Sequence, residues 1–405
     1  MMMEPKIRFK GFSGEWENTS LGQAAFDFKY GINAAAKEYD GHNKYLRITD
    51  IDDSSREFCY DDLTSPNTDL TNCNDYLMKV RDIVVARTGA SVGKTYKYSE
   101  KDETVYFAGF LIRFTANNDY DSDFVFYNTL TKGYDKHIKL VSQRSGQPGV
   151  NVSELQSFAF NAPSLPEQRA LATFFTSLDN QISAAEKRLA SLKQVKAASL
   201  QAMFPQEGET TPKLRFKGCE GEWKKVKLGE MYEPRNDKND LSFGVNDIIS
   251  VANMYFRPIS YVSNDDYLKS YNIFRVGDIA FEGHKSKNFS HGRFVENSIG
   301  DGIVSHVFVV LKRKDKQFDV DFWKYYINNE RIMCGILTRS TKSSTMMNDI
   351  VVSDFLKESI LVPSYEEQVK IGNYFTSLDR QISAQSSKIS KLKQIKSACL
   401  DQMFV

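Results

Sequence analysis

The segment from Pro163 to Phe204 aligns without a gap to the segment from Pro363 to Phe404, and about half of the positions are identical. FTSLDNQIS in the first copy returns as FTSLDRQIS two hundred residues later. A second repeat opens each half: KIRFKGFSGEWENTSLGQ from Lys6 matches KLRFKGCEGEWKKVKLGE from Lys213. Between these repeats lie inserts, about 24–162 and 231–362, that share little. A chain of 405 residues with this pattern is a duplication: globular part, helix, linker, globular part, helix. The polar, Pro-bounded run PQEGETTP from Pro205 to Pro212 reads as the linker.

The closing repeats predict helices. Ser164 with Glu167, and Ser364 with Glu367, have capping-box spacing, in which the side chains satisfy the free amides of a first turn. Pro166 falls in that first turn, where its missing N–H costs little. Apolar residues then alternate at spacings of three and four: Leu171, Phe175, Leu178, Ile182, Ala185, Leu189 and Leu192. The second copy runs Ile371, Phe375, Leu378, Ile382, breaks at polar Gln385, and resumes at Ile389 and Leu392. Gly372 and Asn373 also stand where the first copy is more apolar, which predicts an uneven seam. A narrow seam of this kind needs a partner stripe, and the other copy is the obvious one. The expectation is an antiparallel coiled coil of two long helices.

The inserts read as β-rich mixed domains. YLRITDID from Tyr45, DIVVAR from Asp82, DIISVAN from Asp247 and IVSHVFVVL from Ile303 look like strands, punctuated by Asp, Asn, Gly and Ser. The predicted fold is thus α+β, with an internal pseudo-twofold repeat. Five scattered cysteines without a CxxC pair suggest reduced thiols in a cytoplasmic protein. The opening MMMEPKIRFK lacks the apolar core of a secretory signal, and no run approaches a membrane span. The five histidines show no metal-ligand spacing, so no metal site is expected.

Catalytic patterns fail one by one. RTGASVGKT from Arg87 resembles a phosphate loop, but only Ala90, Ser91 and Val92 separate Gly89 from Gly93, one residue short of a Walker A loop. There is no nucleophile elbow, and no loop of the kind that amino-methyltransferases use for base or cofactor. Glu222-Trp223-Lys224 has the E-x-K shape of some nucleases, inside the repeated GEW segment. What remains are turn-like stretches suited to phosphates and base edges. With net charge +1, nucleic-acid binding has to come from such local patches. In the first insert they are Arg87, Thr88, Ser91 and Lys94, joined by Arg47 and by Gln143, Arg144, Ser145 and Gln147 of SQRSGQPGVN. In the second they are His284, Lys285, Ser286, Lys287, Asn288 and Arg293, then Arg339, Ser340, Thr341 and Lys342 of RSTKSS. Arg and Lys fit guanine edges or phosphates, and Asn and Gln fit adenine.

Taken together, the RFKG opening with its GEW, the YLRITDID and Asp-Ile strands (Arg81-Asp82-Ile83, Gly277-Asp278-Ile279), the ARTGASVGK turn and the P-x-x-EQ helix with FTSLD-QIS resemble the DNA-specificity subunit of a type I restriction–modification system. The resemblance covers the whole chain, although the second half has FEGHKSKN where the first has RTGASVGK. It implies a target-recognition domain over 1–162, a spacer helix with linker over 163–212, a second recognition domain over 213–362 and a second spacer helix over 363–405. Each domain would read one half of a split site in double-stranded DNA, held by the helices about one turn apart. The subunit itself would do no chemistry and hold no cofactor. Two copies of a methyltransferase subunit would methylate adenine with S-adenosylmethionine, and restriction or translocase subunits would use ATP and Mg. Phe175, Leu178, Asp179, Phe375, Leu378 and Asp379 of the repeated segments are the expected docking residues for those partners. Three alternatives stay open: the specificity module of a fused or type II-like restriction enzyme, against which no catalytic domain is seen before Val405, a non-catalytic coiled-coil scaffold with two protein-binding domains, and an unrecognised enzyme that would turn over substrate by itself.

Overall fold

The computed structural model describes residues 4–206, 208–257, 265–343 and 347–405. It divides into two compact units: the residues up to Arg188 together with Gln385–Val405, and Leu189–Ala384. The division passes through both long helices, Leu165–Ala202 and Tyr365–Met403, so each unit contains one end of each.

Within each unit the helix ends pair antiparallel, because contacts descend one helix as they climb the other. In the first unit Asp179 meets Lys396 at 2.6 Å, and Glu186 meets Lys393 at 2.8 Å. In the second, Lys196 pairs with Asp379, and Ser199 Oγ lies 2.8 Å from Tyr374 Oη. The predicted seam residues Leu171, Phe175, Leu178, Ile182, Ala185, Ile371, Phe375, Leu378 and Ile389 are buried. The polar break is used rather than merely tolerated: Gln385 Nε2 donates to the Ala185 carbonyl at 3.0 Å. Gly372 has a local cause as well. A Cβ there would stand 2.2 Å from Asp319 Oδ1 and 2.8 Å from Phe322 N, at the start of the helix Val320–Tyr326.

The predicted capping boxes are only partly formed. Ser364 Oγ accepts from the Glu367 amide at 3.3 Å, but the two glutamates do not turn back to their own helix starts. Arg8 Nε and Nη2 grip Glu167 at 2.7 and 2.8 Å, and Arg215 grips Glu367 at 2.9 and 2.6 Å. A fork of charge-assisted bonds outcompetes a single bond to a backbone amide. The next residue is equally committed. Gln168 accepts from Asp121 N and donates to the Pro163 carbonyl, while Gln368 accepts from Trp323 Nε1 and donates to the Pro363 carbonyl.

Both inserts then follow one plan. A short antiparallel ladder closes each at its base: Glu17–Ser20 with Ala159–Ala162, and Lys224–Lys227 with Ser359–Val362. Above it stands a four-stranded antiparallel sheet, in the order Ala25–Tyr30, Leu111–Ala116, Asp82–Ala86, Thr95–Lys97 in the first unit. The second has Tyr232–Pro234, Val309–Arg313, Ile279–Glu282, Arg293–Glu296. Apolar side chains lie on both faces, which explains the unbroken run DIVVA. Ile83 and Val85 enter the core shared with the helices, while Val84 and Ala86 enter a separate distal core. YLRITDID is not one strand. Only Lys44–Leu46 is extended, and the chain then turns because the Asp50 carboxylate accepts from the Arg47 amide at 2.8 Å. DIISVAN is likewise a turn at Val245–Asp247 followed by the two-residue strand Ile249–Ser250.

Each helix terminus carries a Met-Phe pair into a core. Phe404 stacks on Phe124 at 5.5 Å and meets Trp16 and Phe175. Phe204 stacks on Phe375 and meets Trp223, Phe322 and Tyr326. The stretch expected as a linker is therefore tied down at its ends, with Leu214 N bonded to the Ala202 carbonyl and Trp223 N to that of Thr210; Glu207 lies outside the described residues. Phe204→Ala is expected to lower the unfolding free energy by about 3–5 kcal/mol, with Phe204→Leu costing clearly less. Urea denaturation followed by tryptophan fluorescence would measure both.

Candidate nucleic-acid interface

At the distal end of each sheet, two loops far apart in sequence are fastened together. In the first unit, strand Asp82–Ala86 runs into the turn that begins at Arg87, and helix Lys132–Val141 runs into the loop 142–150. Gly89 N donates to the Pro148 carbonyl at 2.9 Å, and Val150 N to the Arg87 carbonyl at 2.8 Å. Gly93, at φ +85°, lets this turn lie on the helix, since a Cβ would stand 2.7 Å from Ile138 Cγ2. The second unit builds the same pair from unlike sequence. Helix Glu330–Ser340 leads into a hairpin of Thr341–Ser343 with Asn348–Ile350, and Asn348 N donates to the Gly283 carbonyl at 2.8 Å. Lys285 Nζ donates to Ser343 Oγ at 2.9 Å. Thus RTGASVGK is joined to SQRSGQPGV, and GHKSKN to RSTKSS; Ser344 lies outside the described residues.

Apart from Arg87, the expected contact residues fall into three groups. Gln143, Ser145, Gln147, His284, Lys285, Ser286, Lys287, Asn288 and Lys342 are exposed on these loops, and Thr88 and Ser91 are half-buried beside them. Several cations are already neutralised. Arg47 bonds Asp50 at 2.9 and 2.8 Å, and Arg144 Nη2 bonds both Glu154 oxygens at 2.6 and 2.7 Å. Arg293 bonds Glu282 at 2.7 Å over the Phe289 ring. Arg339 forks onto Glu358, whose carboxyl it holds below the ordinary range.

Two residues do not belong to the interface. Lys94 is buried, its Nζ bonded at 2.8 Å to both the Ile51 carbonyl and Asp53 Oδ1, and this bond holds the Asp53 carboxyl below its ordinary value. That removes the last phosphate-loop feature of the turn. Ser340 is fully buried and donates to the Ile336 carbonyl, as a hydroxyl at a helix end does. Thr341 donates in the same manner to Leu337, yet stays partly exposed.

The expected docking residues need a larger correction. Phe175 and Phe375 are 0% exposed, and Leu178 and Leu378 are buried beside them, so no partner reaches them. Asp179 is held by Lys396 and by Tyr127 Oη at 2.9 Å, and Asp379 by Lys196 and Tyr325 Oη. FTSLD recurs because each copy supplies the apolar seam and one carboxylate that gathers a tyrosine and a lysine.

Sequence reasoning overlooked a recess in the first unit. Tyr30, Asn33, Arg47, Thr49, Arg87 and Phe110 line a cavity of about 650 Å³. Phe110 sits in the apolar stretch FAGFLIRF, which reads as core throughout, but the residue is 62% exposed. Among the described residues there is no cluster of His, Cys, Asp or Glu suited to a metal, and no helix long and apolar enough to cross a membrane.

A family model described as the type I restriction modification DNA specificity domain matches residues 14–194 and again 220–394. The type I restriction enzyme MjaVIII specificity subunit of Methanocaldococcus jannaschii is 20% identical over 258 residues. That match covers 60% of this chain and 57% of the relative, so the chain spans little more than half of it. The S subunit of a type I restriction–modification system from M. genitalium superposes with a TM-score of 0.60 at 15% identity, covering 100% of this chain and 99% of that one. A chain from a structure concerned with complex assembly and conformational transition of the type I system gives a TM-score of 0.50 at 16% identity, covering 96% and 97%. At such identities the structural likenesses speak for the fold.

Gly283→Ala is expected to part the second loop pair, because its Cβ would stand 2.2 Å from the Asn348 carbonyl oxygen. Hydrogen exchange at the Asn348 amide should accelerate while amides of the strand Ile279–Glu282 stay protected.

Proposed function

The chain belongs to the family of type I restriction–modification DNA specificity domains, and we propose that it is the sequence-reading subunit of such a system, each unit addressing one half of a bipartite site in double-stranded DNA. The observation that carries this reading is the recurrence of one loop pair at one place in both units, built from unlike sequence. A shared scaffold with two different tips suits two different half-sites. The exposed amide, hydroxyl and cationic side chains are the types that address base edges and phosphates.

In this reading the paired helices act as the spacer that fixes the separation of the half-sites, and their outward faces receive two like methyltransferase subunits. Burial of Phe175, Leu178, Phe375 and Leu378 moves that docking role to the exposed positions around them. The chain itself carries no catalytic step. Adenine methylation with S-adenosylmethionine, and ATP- and Mg-dependent translocation and cleavage, fall to partner subunits.

Expression with a methyltransferase subunit in a host without methylation, followed by single-molecule sequencing, should reveal a split adenine-methylated motif only when both proteins are present. Matched insertion of a heptad into both helices, near Ala184–Leu189 and opposite it, should change the number of unread bases and leave both half-sites as they were. DNA affinity should also fall steeply with salt, on the order of 10³-fold or more between 50 and 200 mM if six or more phosphates are contacted. A protein-binding scaffold would give no split motif and no such slope.

A further inference from the structure

Arg87 differs from the other candidate cations of the first unit. Arg47, Lys94 and Arg144 each meet a carboxylate, whereas among the described residues no carboxylate meets Arg87. Its guanidinium lies over the Tyr30 ring, 4.8 Å from the centroid, and its Nε is covered without a hydrogen-bond partner. Both sides of its backbone are fixed, the amide donating to the Phe110 carbonyl and the carbonyl accepting from Val150. The side chain lines the recess together with Phe110, and Gln147 stands beside the turn, its Nε2 2.9 Å from where a Cβ on Gly89 would be.

A cation placed for phosphate contact gains from full exposure and from freedom to follow the backbone. Arg87 is half-buried and stacked on Tyr30. Stacking holds the plane of the guanidinium, and coverage of Nε leaves only the Nη edge to meet a ligand. A planar pair of donors presented in a recess that the exposed Phe110 also lines fits a planar pair of acceptors on a base. In the DNA major groove that pair is O6 and N7 of guanine. Resting on the proposed DNA-reading role, we propose that Arg87, positioned by Tyr30, is a specificity-determining residue that reads one guanine in the half-site of the first unit.

The test is selection from a library of randomised duplexes by the full-length chain, followed by affinity measurement across salt concentrations. Wild type should select a split site with a guanine in one half. Arg87→Ala should reduce the preference for that guanine roughly ten- to a hundredfold, and leave every other position as before. Arg87→Lys should lose the preference too, since an ammonium keeps the charge but lacks the fork. Tyr30→Leu should weaken the same position by less. Thermal unfolding of each variant is the control for folding, and the lysine and Tyr30 variants carry the test if the alanine variant unfolds. Uniform weakening on all sequences, with a salt slope shallower by about one, would make Arg87 a phosphate contact and overturn the assignment. So would a wild-type site without guanine in either half, although the DNA-reading role would then stand. Selection of no sequence at all by wild type would sink that role, and this assignment with it.

Discussion

The bidentate pairs Arg8–Glu167 and Arg215–Glu367 are the constraint on which the rest of each unit depends. Both carboxylates are 2% exposed, so each is stable only while its arginine is present. The pair joins the RFKG opening of a half to the helix that closes it, across 159 and 152 residues respectively. With those two points fixed, the basal ladder can form beside them, as Glu17–Ser20 meets Ala159–Ala162. The neighbouring glutamine then locks the start of the next layer, by accepting from Asp121 in one unit and from Trp323 in the other. The EQ dipeptide common to both repeats is thus a junction between opening, helix and insert.

How much of this was legible depended on the range of the interaction. The helix seam could be read in its period, down to the polar interruption at Gln385, because that period is local, although Leu189, Leu192, Ile382 and Leu392 are only half-buried. S-x-x-E was legible as a helix start but not in its chemistry, since the true partner of Glu167 lies far upstream at Arg8. The helix starts where the capping reading placed it, though the side chains make other bonds. YLRITDID was overread as a strand because a β-prone composition conceals the turn that Asp50 imposes on Arg47.

The candidate loops were legible in composition but not in assembly. Each loop could be singled out by its polar and glycine content, while the fastening of residue 89 to residue 148, or of residue 283 to residue 348, involves main-chain groups, whose partners cannot be read from side-chain identity beyond the glycine each approach uses. Carboxylate neutralisation of Arg144 and Arg339 was hidden for a different reason, as Glu154 and Glu358 come from neighbouring elements. FTSLD erred in the opposite direction. Repetition drew attention to it as a surface, whereas packing demands repetition just as strictly: Phe175 and Phe375 fill equivalent positions in two cores.

Fastening the loop tips through their main chains has an evolutionary corollary. An amide-to-carbonyl bond is indifferent to the side chain that its residue carries. Mutation at positions 88, 91, 143, 145 or 147 can therefore alter what the first tip displays without loosening it, provided that Gly89 and Gly93 keep their turns. The core pays no penalty for such drift, because none of those side chains enters it. A lineage with this architecture can turn over its exposed alphabet quickly while the clamp, the seam and the aromatic stacks stay under strict selection.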